Sequence, residues 1–532
     1  NIQMMRSTIL FSTLLGVALS CNLTYPQVQT RNGIVEGVCV TDSPMEVNAF
    51  LSIPFAEPPV RFEKPVSKSN WSGILSTKEM PPRCSQATSD PNSEDCLYLN
   101  VFAPATGSGY PVITVVYGGA FATGGARNQG TPLELAQNIV AKGFVVVVIQ
   151  YRVGPLGFCT TKDSVMPGNY GLWDATMALQ WVQENIEAFG GDKHSITMYG
   201  GSAGAAMIES MHLSPHSTHL FHKMIIWSGA AADIWNAPTK ENCEARATSL
   251  GLTWSNSAEF KSSLSSAPVS GLLGAWQVID ESAFEYLYTD WAPVYDNDFF
   301  PTTGAELRSS VKPKPTIFGT AYLEGAGMTG AMTIDNTTLG KILAYMVPEG
   351  TPDRESITAV LSNYYRDIAA VLEPNAIDKH ATQAAAGERC LAGPIDAVST
   401  RYLELFGSNQ TMYRYVFKHF NPLMAGPSYP YISFATHSFD QYYFLGGFAS
   451  FNAADLAVRD THILALSNFA RTGNPNGSGS SALSVEWLPN TIDEQHRNYV
   501  FDDVPYMDSE YFDGRPRLNN DLNRLAGVFY DV

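Results

Sequence analysis

His194-Ser195-Ile196-Thr197-Met198-Tyr199-Gly200-Gly201-Ser202-Ala203-Gly204 begins as an alternating, β-branched run and ends in Gly-x-Ser-x-Gly. Ala205 to Met211, a run of good helix formers, follows at once. The pattern predicts a strand, a tight turn with Ser202 at its tip, and a helix. Such a turn lifts a serine hydroxyl clear of the backbone at the top of a sheet, where it can act as a nucleophile. Small residues two before and two after the serine keep strand and helix from colliding. A five-residue pattern recurs by chance in large proteins, so its reading depends on what surrounds it.

Working outward, strands are expected at Leu97 to Phe102, Pro111 to Tyr117, Val145 to Ile149, Lys223 to Trp227, Thr316 to Thr320 and Met412 to Phe417. Several are continuous apolar runs without alternation, the pattern of parallel strands covered on both faces. Helical spacing lies between them, most clearly in Ala175, Ala178, Leu179, Val182 and Ile186. Strands alternating with helices predict an α/β fold with crossover connections. Residues 330–410 read as helices packed beside the sheet, and Gly473 to Ala482 as a loop. Phe50 to Phe62 is apolar and punctuated by prolines.

The chain has 532 residues, 45% of them hydrophobic, and a formal net charge of -18. Such acidity disfavours nucleic acid and anionic membranes as partners. Met4-Met5-Arg6, an apolar stretch to Leu19 and the small Ser20 predict a secretory signal peptide over residues 1–20, with residues 1–3 as upstream sequence. Residues 21–532 are then expected to form one catalytic domain of an extracellular, secreted protein. No later apolar run reaches the roughly 18 to 20 residues of a membrane span. Secretion permits disulfides among Cys21, Cys39, Cys84, Cys96, Cys159, Cys243 and Cys390. It also makes Asn22, Asn70, Asn336, Asn409 and Asn476, each opening an Asn-x-Ser/Thr sequon, glycosylation candidates.

Acyl transfer needs a nucleophile, a base, an orienting acid and oxyanion donors. With Ser202 as nucleophile, the Ala203 N–H at the helix start is one donor candidate. Tyr117-Gly118-Gly119-Ala120, a small-residue turn after an apolar strand, offers others. This architecture orders its triad as serine, acid, histidine. Glu324 stands just past the 316–320 strand and before Gly325. His380, His419, His437, His462 and His496 all follow it. His437 lies in a loop beyond a late strand, which favours it, but the residues alone leave the others open.

Further stretches carry a family resemblance: Ile53 to Phe62, Ser93-Glu94-Asp95-Cys96-Leu97-Tyr98-Leu99-Asn100-Val101, Tyr151-Arg152-Val153-Gly154-Pro155-Leu156-Gly157-Phe158, Gly168 to Asp174, Phe189 to Asp192, Trp227-Ser228-Gly229 and Asn468 to Asn476. With the elbow, they resemble the type-B carboxylesterases, the group of the cholinesterases and the long fungal lipases. The match covers nearly all of the mature chain. It implies an α/β-hydrolase fold, with a mostly parallel central sheet flanked by helices. It also implies Ser202, Glu324 and His437 as catalytic residues, Gly119, Ala120 and Ala203 as the oxyanion hole, a Cys84–Cys96 disulfide, and no metal or cofactor. Ion pairs Arg61 with Glu94 and Arg152 with Asp174, and a supporting role for Ser228, follow by the same analogy.

The departures are informative. Gly201 stands where the family usually carries a glutamate, so a buried carboxylate beside the nucleophile is lost. Ala120 replaces a third oxyanion glycine and keeps its N–H. The Cys84–Cys96 loop has only eleven residues and no aromatic one, against a cholinesterase and against a long mobile lid. Phe260 stands where the partner of Cys243 is expected; Cys243 is left without its family partner, with Cys390 as one candidate, and Cys159 reads as a small apolar core residue. The expected activity is hydrolysis of uncharged carboxylic esters, small-molecule substrates that include aryl and feruloyl esters. A lipase or steryl-ester hydrolase is the alternative, and a non-catalytic cholinesterase-like adhesion or scaffold protein a remote one.

Overall fold

The run Val145–Ile149 (β5) shows how the sheet is built. Val145, Val147 and Ile149 enter one apolar core, and Val146 and Val148 enter the other. Both faces of the strand are dry, so alternation disappears from its sequence. The computed structural model describes residues 25–232, 239–273, 290–329, 334, 337–347, 351–425, 434–447 and 450–525. The expected signal peptide, Cys21, Asn22 and Asn336 lie outside them.

Among the described residues eleven strands form the main sheet: β1 (Val38–Val40), β2 (Val47–Pro54), β3 (Tyr98–Pro104), β4 (Tyr110–Val116), β5, β6 (Gly191–Gly201), β7 (Lys223–Trp227), β8 (Thr316–Ala321), β9 (Met412–Phe417), β10 (Asn498–Phe501) and β11 (Tyr506–Asp508). Their order is β11-β10-β9-β8-β7-β6-β4-β5-β3-β2-β1. From β5 through β4 and β6 to β10 neighbours run parallel; β3, β2, β1 and β11 are antiparallel flanks. The mostly parallel α/β-hydrolase architecture expected from the sequence is the one observed.

Helix α1 (Tyr170–Asn185) buries Ala175, Ala178, Leu179 and Val182 in the first core, with Ile186 just past its end. Helix α2 (Ala203–Leu213) follows the elbow and is buried along its whole length. The largely helical region includes α3 (Ile377–Gly387) and α4 (Gly393–Phe406). Helices α5 (Phe439–Phe444) and α6 (Ala453–Thr472) follow β9. Among the described residues no helix is long and apolar enough to cross a membrane.

Arg152 grips Asp174 through two guanidinium hydrogen bonds of 2.8 and 2.7 Å, both side chains buried. Removing either partner would strand a buried charge, at a cost of about 3–5 kcal/mol. Arg61 holds Glu94 in the same bidentate way. Cys84 and Cys96 form a disulfide. The second bridge corrects the sequence reading: Cys159 pairs with Cys243, 84 residues apart. Cys159 is therefore a cross-link rather than an apolar filler, and Cys243 takes Cys159, not Cys390, as its partner. Phe260 packs its ring against Trp254 instead.

Candidate active site

Strand β6 ends at Gly201 and α2 starts at Ala203, so Ser202 alone makes the turn. Its φ of 56° and ψ of -131° lie where side chains are rarely found. Such strain persists only when the surroundings impose it. Here Ser202 N–H donates to the Trp227 carbonyl at 2.9 Å, and its own carbonyl accepts from Ala205 and Ala206. A Cβ on Gly204 would lie 2.3 Å from the Val116 carbonyl oxygen, so the helix can leave the sheet this closely only without a side chain there.

Glu324 lies three residues beyond β8, buried. One carboxylate oxygen accepts from Ala321 N–H at 2.7 Å and from the Ser228 hydroxyl. The other lies 2.8 Å from His437 Nδ1. Thr436 ties the two loops together: its hydroxyl accepts from Gly327 N–H, and Leu323 N–H donates to the Ala435 carbonyl. Burial by itself would depress the His437 imidazole. The Glu324 hydrogen bond and charge, with Asp440 adding to them, outweigh that and hold it above its ordinary value. The other histidines are engaged elsewhere. His419 bridges Asp503 and Asp455, His496 meets Asp396, His462 is enclosed by aromatic rings, and His380 packs on Phe434.

Gly201 and Trp227 are directly opposed in the parallel β6–β7 register. A Cβ on Gly201 would fall 2.0 Å from the Trp227 ring. A side chain at position 201 would thus meet the indole, whose centroid is 6.4 Å from that of His437. One aromatic wall therefore adjoins both the serine turn and the histidine. Among the described residues no hydrogen bond joins Ser202 to His437, whose one side-chain bond is to Glu324. Such contacts often tighten only with substrate bound.

The turn after β4 reverses sharply. Gly119, Ala120, Phe121 and Gly124 have φ of 122°, 53°, 57° and 117°. The Gly119 carbonyl accepts from Ala122 and Thr123 N–H, and Phe121 accepts from Gly154. Among the described residues the N–H groups of Gly119, Ala120 and Ala203 find no acceptor in the protein, which leaves three donors near the serine turn for an incoming oxygen.

Asp440 is a site residue that motif reading missed. It sits one turn past His437 in α5, fully buried, accepting from the Tyr415 hydroxyl at 2.6 Å and from Gln441 N–H. Burial pushes its carboxyl up to about 7; the Tyr415 bond opposes the rise and the Glu324 charge adds to it. The sequence signal was an acid inside Phe439-Asp440-Gln441-Tyr442-Tyr443-Phe444, an aromatic run that has to be buried.

Of the glycosylation candidates, Asn70 and Asn409 are exposed. The Asn476 amide is occupied by the Trp487 backbone, donating to its carbonyl and accepting from its N–H.

The model of the carboxylesterase family matches residues 24–512. The chain is 32% identical to bile salt-activated lipase of Bos taurus, over 89% of this chain and 83% of that protein. It is 31% identical to esterase cest-33 of Caenorhabditis elegans, over 94% and 95%. It is 32% identical to carboxylesterase 5A of Homo sapiens, over 88% and 85%. These relationships set aside the reading as a non-catalytic scaffold: the chain belongs to the carboxylesterase family and is a carboxylic ester hydrolase.

Proposed function

We propose that this chain is a secreted serine esterase that works through an acyl-enzyme on Ser202. His437 takes the Ser202 proton as the hydroxyl oxygen attacks the ester carbonyl carbon. The N–H groups of Gly119, Ala120 and Ala203 hold the resulting oxyanion. Glu324 keeps the imidazole in orientation and stabilises its charged form. The carbon–oxygen bond to the alcohol breaks as His437 returns the proton to it. Water then loses a proton to His437 and attacks the acyl group, releasing the acid and regenerating Ser202. The chemistry needs no metal or organic cofactor.

The observation that carries this reading is the Glu324–His437 hydrogen bond, with Trp227 adjoining both His437 and the turn that holds Ser202 at positive φ. Substrates are uncharged carboxylic esters, aryl and feruloyl esters among them. A lipase acting on long-chain or steryl esters is the second reading, favoured by the likeness to proteins named bile salt-activated lipase. The short Cys84–Cys96 loop speaks for the first. Rates on p-nitrophenyl esters of rising chain length, methyl ferulate and a triglyceride emulsion separate the two. A maximum at short or aryl esters supports the first reading and a maximum on the emulsion the second. Wild-type rates in Ser202→Ala would overturn both.

A further inference from the structure

The eleven residues between Cys84 and Cys96 are too few to cover a cleft, and the structure gives them another connection. Gln86 leaves the disulfide loop and is buried, 3% exposed. Its amide Nε2 donates to the Gly124 carbonyl at 2.7 Å and to the Cys84 carbonyl at 2.9 Å. Its Oε1 accepts from Gly124 N–H at 2.9 Å. Gln86 thus pairs with both backbone groups of one residue, as a neighbouring strand would. Gly124 closes the turn that begins at Gly119.

That turn carries four residues at positive φ, two of them not glycine. At the two non-glycine residues, Ala120 and Phe121, such backbone is strained and persists only under outside constraint. A Cβ on Gly124 would collide with the Gly118 carbonyl oxygen at 2.5 Å, so the two ends of the turn are in contact. The loop carrying Gln86 is itself fixed three ways. The disulfide closes it, Arg83–Cys84 pairs with Asn92–Ser93, and Arg83 meets Asp90 at 2.7 Å. Gln150 joins the same assembly, donating to the Pro82 and Cys96 carbonyls and accepting from Ala126 N–H.

We propose that Gln86 is a positioning residue for oxyanion stabilisation: through it the Cys84–Cys96 loop serves as a clamp on the 119–124 turn. The clamp aims the Gly119 and Ala120 N–H groups without touching substrate. This rests on the role given above to those two N–H groups. Deleting one oxyanion donor outright costs about 10²–10³ in rate. Loosening the turn leaves both donors present but poorly aimed, so a loss of about tenfold to 10²-fold in kcat is expected.

The test compares wild type, Gln86→Leu and a control, Ser89→Ala, on p-nitrophenyl acetate, with a trifluoromethyl ketone as transition-state analogue. Gln86→Leu is expected to lose kcat with KM nearly unchanged. Its affinity for the ketone should fall by the same factor as kcat/KM, and Ser202 should still be acylated. Ser89→Ala keeps all values within about threefold, since only an exposed hydroxyl is removed. A variant that folds, as judged by circular dichroism, and keeps wild-type kcat and ketone affinity overturns the proposal. So does a rise in KM alone. If Gln86→Leu fails to fold, Gln86→Met, of matching length, takes its place under the same criteria. An inactive wild type, or wild-type rates in Ser202→Ala, would instead sink the acyl-enzyme reading itself.

Discussion

Substituting Gly201 with alanine adds a methyl group where the chain has no room for it. The new Cβ would lie 2.0 to 2.2 Å from three atoms of the Trp227 ring. Carbon atoms in contact sit about 3.5–4.0 Å apart, so one side must move by about 1.5 Å. Trp227 cannot yield freely, because it is 1% exposed and its ring neighbours those of Tyr199 and His437. Forcing an extra carbon into such a site costs about 1–3 kcal/mol. The displacement also reaches the chemistry. Trp227 accepts the Ser202 N–H, and an error of about 1 Å in a reacting group can cost about 10²-fold. Gly201→Ala should therefore melt at lower temperature and lose about 10²-fold in kcat on p-nitrophenyl acetate. Shrinking the indole relieves the clash, so in Gly201→Ala/Trp227→Leu the loss should be clearly smaller than the sum of the single losses. Wild-type melting and wild-type kcat in Gly201→Ala would refute the packing argument, as would strict additivity in the double variant.

Other perturbations probe separate parts of the site. Glu324→Gln should lower kcat by about 10⁴ with a smaller effect on KM, since the imidazole loses both its orienting acceptor and its counter-charge; steady-state kinetics decides this. With His437 as the proposed base, the active free enzyme carries it neutral, so kcat/KM should rise with pH through an ionisation above the ordinary imidazole value of 6.5. Asp440, partly ionised around its raised value of about 7, favours the imidazolium in its charged form, and Asp440→Asn removes that contribution. The acid limb of that profile should therefore shift to lower pH, and a shift to higher pH or none would contradict the placement of Asp440. Cys159→Ser/Cys243→Ser opens a link between positions 84 residues apart and should cost about 2–5 kcal/mol, read as a lower unfolding midpoint.

Much of this architecture can be read from the chain because its signals are local. Val145–Ile149 and Lys223–Trp227 betray buried parallel strands by their unbroken apolarity, and Ala175 to Ile186 betrays a helix by its spacing. Val47–Pro54 is a full strand of the sheet, yet its Asn48, Ser52 and closing Pro54 blur the pattern. Asn498–Phe501 is too short to stand out from its surroundings. The serine turn and the acid beyond β8 stand out because each sits at or just past a strand end, whereas His437 lies in a loop well beyond β9 and the residues alone leave it among five histidines. What links distant parts was not. The Cys159–Cys243 bridge joins positions whose approach depends on the whole fold. Trp227 fills the space above Gly201 only because the β6–β7 register sets them opposite one another. Gln86 lies in a polar loop with no motif, and its role follows from two hydrogen bonds to Gly124 that no spacing rule anticipates.

The most direct test of the central claim is to trap the acyl-enzyme. Wild type mixed with p-nitrophenyl acetate and quenched in acid should show one p-nitrophenol burst per molecule. The intact mass should rise by one acetyl group, located by peptide mapping to Ser202. Ser202→Ala should show neither. An acetyl group on another residue, or full turnover by Ser202→Ala, would contradict the account.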